Sequence, residues 1–209
     1  MHGHPRFGIL CFFLCALLSA GCIPVRVAST IPRDFTTTDL LIVENRLPDG
    51  VHFVNKPKKT RPSDFGASGG VDASTVEFRG TASGFHAVVQ LGTVRDAQLA
   101  YQSHPFTTDD TRGRYMTTWS PMSGFNYQSP LADQFRVVCG TTQNLAFQIP
   151  HCYIEAQYDE FLSLVNYQTL DTGRALTDLE SLARAVDDQF DIHGEILKKF
   201  SRVLELRNR

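Results

Sequence analysis

Two neighbouring stretches, STVEFR at residues 74–79 and GFHAVVQL at residues 84–91, decide the fold class. The first alternates polar and apolar side chains, and the second is rich in β-branched and aromatic residues, so both are typical of strands. Residues 81–83, TAS, are short enough to connect them. The pattern therefore predicts an antiparallel strand pair in the first half of the chain.

Further strands are predicted on both sides of this pair. Residues 47–54, LPDGVHFV, are typical of a turn that leads into a strand. Three more β-rich runs follow at residues 132–139, 152–158 and 161–167, and a turn at Asp159-Glu160 joins the last two. The short connections favour a meander of three successive strands.

Two helical segments complete the pattern. Thr93 is a candidate N-cap for a helix through residues 95–101. Apolar residues recur at helical spacing over residues 179–190 and again beyond Gly194, with Thr177 as candidate N-cap, which predicts a long C-terminal helix or a helix pair. Strands in runs with helices set apart indicate an α+β domain: an antiparallel sheet of about five to six strands with helices packed on one face.

The amino-terminal residues are typical of an export signal. A weakly basic start, MHGHPRFG, precedes an almost wholly apolar run at residues 9–20. That run is too short for a membrane span, which needs roughly 20 apolar residues. It has the length of a signal-peptide core. An uncleaved anchor helix and an ordinary secretory signal are the alternatives.

Small residues then run directly into a cysteine, SAGC at residues 19–22, and this motif resembles the lipobox of bacterial lipoproteins. Ser19 stands where that family usually has Leu, three residues before the cysteine. The resemblance implies cleavage after Gly21 and a diacylglyceryl thioether on Cys22. Two acyl chains are enough for stable anchoring, since each buried CH₂ contributes about 0.8 kcal/mol.

The chain is thus divided into three parts by its sequence. Residues 1–21 are the predicted signal peptide. Residues 22–38 contain two prolines and no sustained period, so a lipid-anchored tether is predicted there. Residues 39–209 have the length of a single globular domain. The predicted location is the extracytoplasmic face of a bacterial cell membrane.

The cysteines agree with export. Two of the five leave with the signal peptide and Cys22 takes the lipid, so Cys139 and Cys152 remain. In an oxidising compartment such a pair is expected to form a disulfide. The alternative is a thiol or metal site with His151 beside Cys152, although no C-x-x-C spacing is present. We expect the disulfide, and no metal or other cofactor.

Charge and motifs exclude several function classes. The formal net charge is −2 with both signs interspersed, so nucleic acid is not an expected partner. The basic residues of 56–61 lie in a proline-containing loop, where a solvated position is expected and contact with anionic lipid is the alternative. The chain has no G-x-S-x-G, H-E-x-x-H or P-loop motif, and we expect no enzymatic activity.

Single titratable residues have ordinary interpretations. His86 lies in an alternating strand, so a surface or half-buried position is expected rather than a catalytic base. Asp187 and Asp188 are adjacent, and neighbours on a helix point about 100° apart. They are therefore expected to be solvated charges rather than an acid/base pair.

Four aromatic residues form the one candidate contact site in the sequence. Tyr115, Trp119, Phe125 and Tyr127 lie on a segment with no regular period, interrupted by proline and glycine. Aromatic side chains on irregular segments contact partners or apolar ligands. The alternative is that they cover the sheet as a small additional core.

A second resemblance concerns the globular part. The LPDG turn, the strand pair followed by RDAQLAY, the two strand cysteines and a terminal LARAVD helix are similar to sensor-like extracytoplasmic domains of bacterial lipoproteins. This implies a fold and a location, and no reaction.

Three functional hypotheses follow. The preferred one is a membrane-anchored, non-enzymatic binding or sensor-like module for a small apolar ligand, which predicts a concave apolar site beside the sheet. The alternative is a peripheral lipoprotein subunit of a complex with integral membrane proteins, which predicts an exposed apolar patch. The third is an enzyme of undetected type, which predicts a cleft where a histidine meets an acid or a hydroxyl.

Overall fold

The computed structural model describes residues 35–103, 119–144 and 147–207, with side chains described outside 141–150 and 195–207. Cys22 and Tyr115 lie outside these residues, as do the predicted signal peptide and most of the predicted tether. Within the described part, eight strands and two α-helices form an α+β domain. The strands are β1 (Val51–Phe53), β2 (Lys58–Lys59), β3 (Gly70–Gly80), β4 (Ser83–Leu91), β5 (Ser120–Pro121), β6 (Gln134–Asn144), β7 (Phe147–Tyr158) and β8 (Phe161–Gln168), and the helices are α1 (Val94–Ser103) and α2 (Thr172–Arg207).

One antiparallel sheet contains all eight strands, in the order β1-β3-β4-β8-β7-β6-β5, with β2 paired to β3. The predicted pair β3–β4 and the predicted meander β6–β7–β8 are both present. The two halves of the chain meet where β4 pairs with β8. The sheet has more strands than the predicted five to six, because β2 and β5 are only two residues long and show no alternation in the sequence.

The helices lie on opposite faces of the sheet, which corrects the prediction that they share one face. On β4, the consecutive residues Ala87, Val88 and Val89 are all 0% exposed, although their side chains alternate between faces. Val89 packs with α1, and Val88 packs with α2. Because the central strands are apolar on both sides, each face requires its own helix.

Hydrogen bonds at the helix starts explain where each helix begins. The predicted N-cap Thr93 is confirmed: its Oγ1 accepts a hydrogen bond from the Asp96 backbone N–H at 3.0 Å. The prediction of Thr177 as N-cap of α2 is wrong, because Asp171 caps this helix. Its Oδ1 accepts from the backbone N–H groups of Gly173 and Arg174, at 3.0 and 3.3 Å. The helix then continues through Gly194 as one element.

The residues before β1 already pack against the sheet. Leu40, Leu41 and Ile42 are at most 2% exposed and cover the face that α2 also covers. Thr37 is 1% exposed, and its hydroxyl is 2.7 Å from that of Ser74 on β3. Tertiary packing therefore begins within the last residues of the predicted tether. No helix in the described part of the chain is long and apolar enough to cross a bilayer.

A buried ion pair fixes α1 on its face. Arg136 of β6 donates from Nε to Glu155 of β7 at 2.6 Å and from its guanidinium to the Tyr101 carbonyl oxygen at 2.8 Å. The same guanidinium lies 4.4 Å above the centre of the Tyr101 ring. Burial raises the pKa of Glu155 to about 7, against the opposing effect of Arg136. One cation thus links two strands to the end of α1.

Buried carboxylates fix α2 on the other face. Tyr167 of β8 donates its hydroxyl to Asp178 at 2.5 Å. Asp187, one residue of the pair expected to be solvated, is instead 4% exposed. It accepts hydrogen bonds from the hydroxyls of Tyr158 at 2.5 Å, Ser129 at 2.7 Å and Tyr127. Burial is the largest cause that raises the pKa of Tyr127, Tyr158 and Tyr167, and the hydrogen-bonded carboxylates raise it further.

The neighbouring Asp188 behaves as expected. Its side chain is 48% exposed and pairs with Arg46 at 3.4 Å. The two adjacent aspartates therefore differ because one points at the sheet and the other at solvent.

The predicted disulfide between Cys139 and Cys152 is present, and it joins directly opposed residues of β6 and β7. The pairing of β7 with β8 ends at His151, and Pro150 is the next residue of β7 toward the β6–β7 hairpin. Proline is compatible with this part of β7, because the strand has a neighbour on one side only.

The disulfide gives a first prediction. Replacing both cysteines, Cys139→Ala with Cys152→Ala, is expected to lower the free energy of unfolding by about 3 kcal/mol, because the loop between residues 139 and 152 is no longer closed in the unfolded chain. Urea unfolding followed by circular dichroism measures the loss. A reductant should destabilise the wild-type protein equally and leave the double variant unchanged. An unaltered urea midpoint in the variant would contradict the structural role of the disulfide.

The contrast between the two aspartates gives a second prediction. Asp187→Asn is expected to lower the free energy of unfolding by roughly 2 to 3 kcal/mol, because three hydroxyls lose a charged acceptor in a buried site. Asp188→Asn is the matched control and should change it by less than about 0.5 kcal/mol, as exposed ion pairs contribute little. Chemical unfolding of both variants measures the difference. Equal stabilities would mean that Asp187 does not hold the helix.

Candidate functional site

A cavity of about 300 Å³ lies between α2 and the end of the sheet where β7 turns into β8. The turn consists of Asp159 and Glu160, and Asp159 has a φ of 50°. Tyr158 ends β7 and Phe161 begins β8, and both point to the face covered by α2. The tight turn therefore places two aromatic rings side by side at the edge of the core, in the wall of the cavity.

Two further rings complete the aromatic wall. Phe190 comes from α2, and its ring is stacked on that of Tyr158 with 3.8 Å between centroids. The rings of Phe161 and Phe190 are 6.2 Å apart and inclined at 63°. Phe35, from the residues before β1, lies 6.0 Å from Phe161 and is inclined at 40°. The wall is thus assembled from three distant parts of the chain.

Three carboxylates line the same cavity: Asp133, Asp159 and Asp191. Each of these residues is exposed to solvent. The side chain of Asp133 accepts a hydrogen bond from the Asp159 backbone N–H at 2.8 Å, which fixes the residues before β6 against the turn. None of the described residues that line the cavity is Lys or Arg. The cavity therefore combines an aromatic wall with a negatively charged opening.

The carboxylates of the cavity also have to be considered as metal ligands. Within the described residues, no group of three His, Cys, Asp or Glu side chains is placed so that it could hold a metal ion. The three carboxylates that line the cavity thus do not form such a group.

Of the four aromatic residues predicted as one contact site, the three that the structure describes are not all brought together. Trp119 packs edge-on against Tyr153, with 5.2 Å between centroids, on the face of α1. Phe125 and Tyr127 lie 6.2 and 6.1 Å from Phe135 on the face of α2. The segment crosses the edge of the sheet at β5, and its described aromatic residues therefore pack on two different faces.

The same segment contributes to the cavity through Pro130 and Leu131, which the sequence did not single out. Tyr127 and Ser129 hold Asp187, and the next two residues, Pro130 and Leu131, line the cavity. The sequence signal that was available is the pair Tyr158 and Phe161 on either side of a two-residue turn. Nothing in the sequence indicated that Phe35 and Phe190 would join them.

His86 is fully buried, at 0% exposure, which corrects the expectation of a surface or half-buried position. Its Nδ1 accepts a hydrogen bond from the Ile42 backbone N–H at 2.9 Å, so the proton is on Nε2. Nε2 lies 2.9 Å from the Ser163 hydroxyl and therefore donates to it. Burial lowers the pKa of His86 to about 3. A protonated Nε2 cannot take a proton from Ser163, and the pair instead fastens residues 40–42 to the sheet.

His151 lies on the face of α1, away from the cavity. Neighbouring residues of a strand point to opposite faces, so His151 and the disulfide-bonded Cys152 do not form the alternative thiol or metal site. Its Nε2 contacts the side-chain amides of Asn166 and, at 3.2 Å, Gln168. Burial lowers the pKa of His151 to about 4, so the ring is uncharged near neutral pH.

Similarity to known proteins is found among solved structures. No protein-family model matches the chain, and no curated protein matches it. Among solved structures, the extracellular domain of PknH from Mycobacterium tuberculosis is similar with a TM-score of 0.48 and 10% sequence identity, over 74% of this chain and 98% of that one. A fold does not by itself imply a function. The functional conclusion therefore rests on the residues of the cavity.

Proposed function

We propose that this protein is a membrane-tethered, extracytoplasmic binding module that takes a small, partly apolar ligand into the cavity beside the β7–β8 turn. The observation that carries the proposal is the cavity itself, of about 300 Å³ with an aromatic wall and a few polar groups at its opening. Concave, largely apolar sites of this size are the usual form of small-molecule sites. The preferred hypothesis from the sequence called for a concave apolar site beside the sheet.

Two features support a location outside the cytoplasm. The first is the lipobox-type sequence at residues 19–22, which resembles that of bacterial lipoproteins. The second is the disulfide between Cys139 and Cys152, because such bonds persist in oxidising compartments. We therefore propose that a lipid on Cys22 holds the domain at the outer face of a membrane.

Binding is favoured over catalysis by the chemistry of the site. The pair of His86 and Ser163 is buried within the sheet. The imidazole proton of His86 is on Nε2, the nitrogen that faces Ser163, so His86 cannot act on Ser163 as a general base. The described residues that line the cavity supply rings, aliphatic groups and carboxylates, and they include no histidine, cysteine or serine. This composition suits the retention of a ligand, so we propose a non-enzymatic module.

The anchor gives the next prediction. Cys22→Ala is expected to move most of the protein from the membrane fraction to the soluble fraction or to leave it unprocessed, because the thioether cannot form. Cys15→Ala, within the same signal peptide, is the matched control and should remain membrane-bound. Extraction in mild detergent, followed by mass spectrometry of the amino-terminal peptide and of co-migrating proteins, makes the measurement. An unmodified Cys22 with the signal retained would overturn the anchor, and stable co-migration with integral subunits would favour the complex-subunit hypothesis.

The cavity gives a prediction of its own. Gly194 lines it, and a Cβ added there meets no atom of the described residues within 4 Å. Gly194→Trp is therefore expected to obstruct the cavity and to weaken binding of a neutral apolar probe, benzyl alcohol, at least about tenfold, or 1.4 kcal/mol. Saturation-transfer NMR on the full chain in digitonin micelles measures it, and the difference from wild type cancels partition into the micelle.

The matched control for this experiment is Gly69→Trp. An added Cβ at Gly69 also meets no atom of the described residues within 4 Å, and Gly69 lies before β3 and does not line the cavity. This variant should bind benzyl alcohol as the wild type does. If Gly194→Trp is folded and binds as well as the control, the cavity is not the binding site.

A further inference from the structure

We propose that the ligand of this cavity is an organic cation whose quaternary ammonium group lies against the rings of Phe35, Phe161 and Phe190. The inference rests on the proposed function, since it names the chemical class of ligand for the same cavity.

The first step is the arrangement of the rings. Phe161 lies between the other two, at 6.0 Å from Phe35 and 6.2 Å from Phe190, and the rings are inclined at 40° and 63° rather than stacked. All three rings line the cavity, although Phe161 is only 4% and Phe190 only 8% exposed. An ammonium group within about 6 Å of several ring centres is attracted by the negative potential of their faces, which is how aromatic cages hold quaternary ammonium ligands.

The second step is that the wall is fixed from behind. The ring of Tyr158 stacks on Phe190 at 3.8 Å with planes inclined at only 10°, and its hydroxyl is bound to Asp187. His193 packs on Phe35 with 5.2 Å between ring centres and does not line the cavity. At least two of the three rings therefore have neighbours that restrict their orientation, which lowers the entropy lost when a ligand binds.

The third step is the charge around the opening. Asp133, Asp159 and Asp191 line the cavity, and none of its described lining residues is Lys or Arg. Asp191 directly follows Phe190 on α2, so a carboxylate and a ring are placed together on one turn of helix. Carboxylates that line a cleft raise the local concentration of cations and disfavour anionic ligands. A positively charged ligand is thus complementary to both the opening and the wall.

The fourth step separates an organic cation from a metal ion. The described carboxylates do not form a group that could hold a metal, and aromatic rings line the same cavity. Mg²⁺ and Ca²⁺ require several oxygen ligands at short distances. An alkylated ammonium group needs no such shell, because its charge is spread over methyl groups that pack against rings.

The test compares two probes that differ in a single atom. Choline has a trimethylammonium group, and 3,3-dimethylbutan-1-ol has the same shape with carbon in place of nitrogen. Isothermal titration calorimetry on the full chain in digitonin micelles is expected to show at least tenfold tighter binding of choline. Benzyl alcohol, the neutral probe used above, reports independently on whether the cavity accepts ligands.

Two aspartates of α2 provide the variant and its control. Asp191→Asn should weaken choline binding at least threefold and leave binding of the neutral isostere unchanged. Asp188→Asn is the control, because Asp188 is on the same helix but pairs with Arg46 and does not line the cavity. This control should bind both probes as the wild type does. Asp191 is exposed to solvent and the side chain of Asp188 is 48% exposed, so neither substitution is expected to prevent folding.

The outcomes separate this inference from the proposed function. Equal affinity for choline and its isostere overturns the cationic ligand, and so does binding of benzyl alcohol without binding of choline; both leave the cavity as a binding site. An unchanged choline affinity in Asp191→Asn overturns the part assigned to that carboxylate. If choline, the isostere and benzyl alcohol all fail to bind, the proposed function falls together with the inference.

Discussion

A buried carboxylate on the long helix determines where that helix lies on the sheet. Asp187 accepts hydrogen bonds from hydroxyls on β7 and on the segment that enters β6, so three parts of the chain meet at one side chain. A buried carboxylate without such partners would be strongly destabilising. These donors leave few alternative positions for the helix, and Phe190 follows less than one turn later. The shape of the cavity thus depends on an interaction that lies beside it rather than in it.

The domain also has to cover both faces of a sheet whose central strands are buried on both sides. The two helices are attached by different interactions. The guanidinium of Arg136 holds α1, and tyrosine hydroxyls of the sheet that donate to Asp178 and Asp187 hold α2. The residues before β1 share the second face with α2 and are fastened there by His86. Where the first residues, the helix and the β7–β8 turn approach one another, their side chains leave a concave space. The site is therefore a consequence of how three separate elements are joined.

The parts of this fold that the sequence predicted are those determined by local pattern. The strand pair β3–β4, the meander of β6 to β8 and the cap at Thr93 each depend on residues a few positions apart. The environments of His86 and Asp187 were mispredicted, since the partners lie 44 positions away for Ile42 and 60 for Tyr127. The same reason applies to the cavity, whose rings come from both ends of the domain. The aromatic segment was treated as one surface because the sequence does not show that it crosses an edge of the sheet.

Trp119 is the one tryptophan in the chain, and it lies against Tyr153 and His151 on the face of the sheet opposite the cavity. Its intrinsic fluorescence is therefore a probe of the edge at β5 and of the strands next to it. The ligand proposed for the cavity would enter beside Phe161, on the other side of the sheet, and it would not touch the indole. The protein thus has a spectroscopic signal for the integrity of its edge that is separate from the occupancy of its cavity.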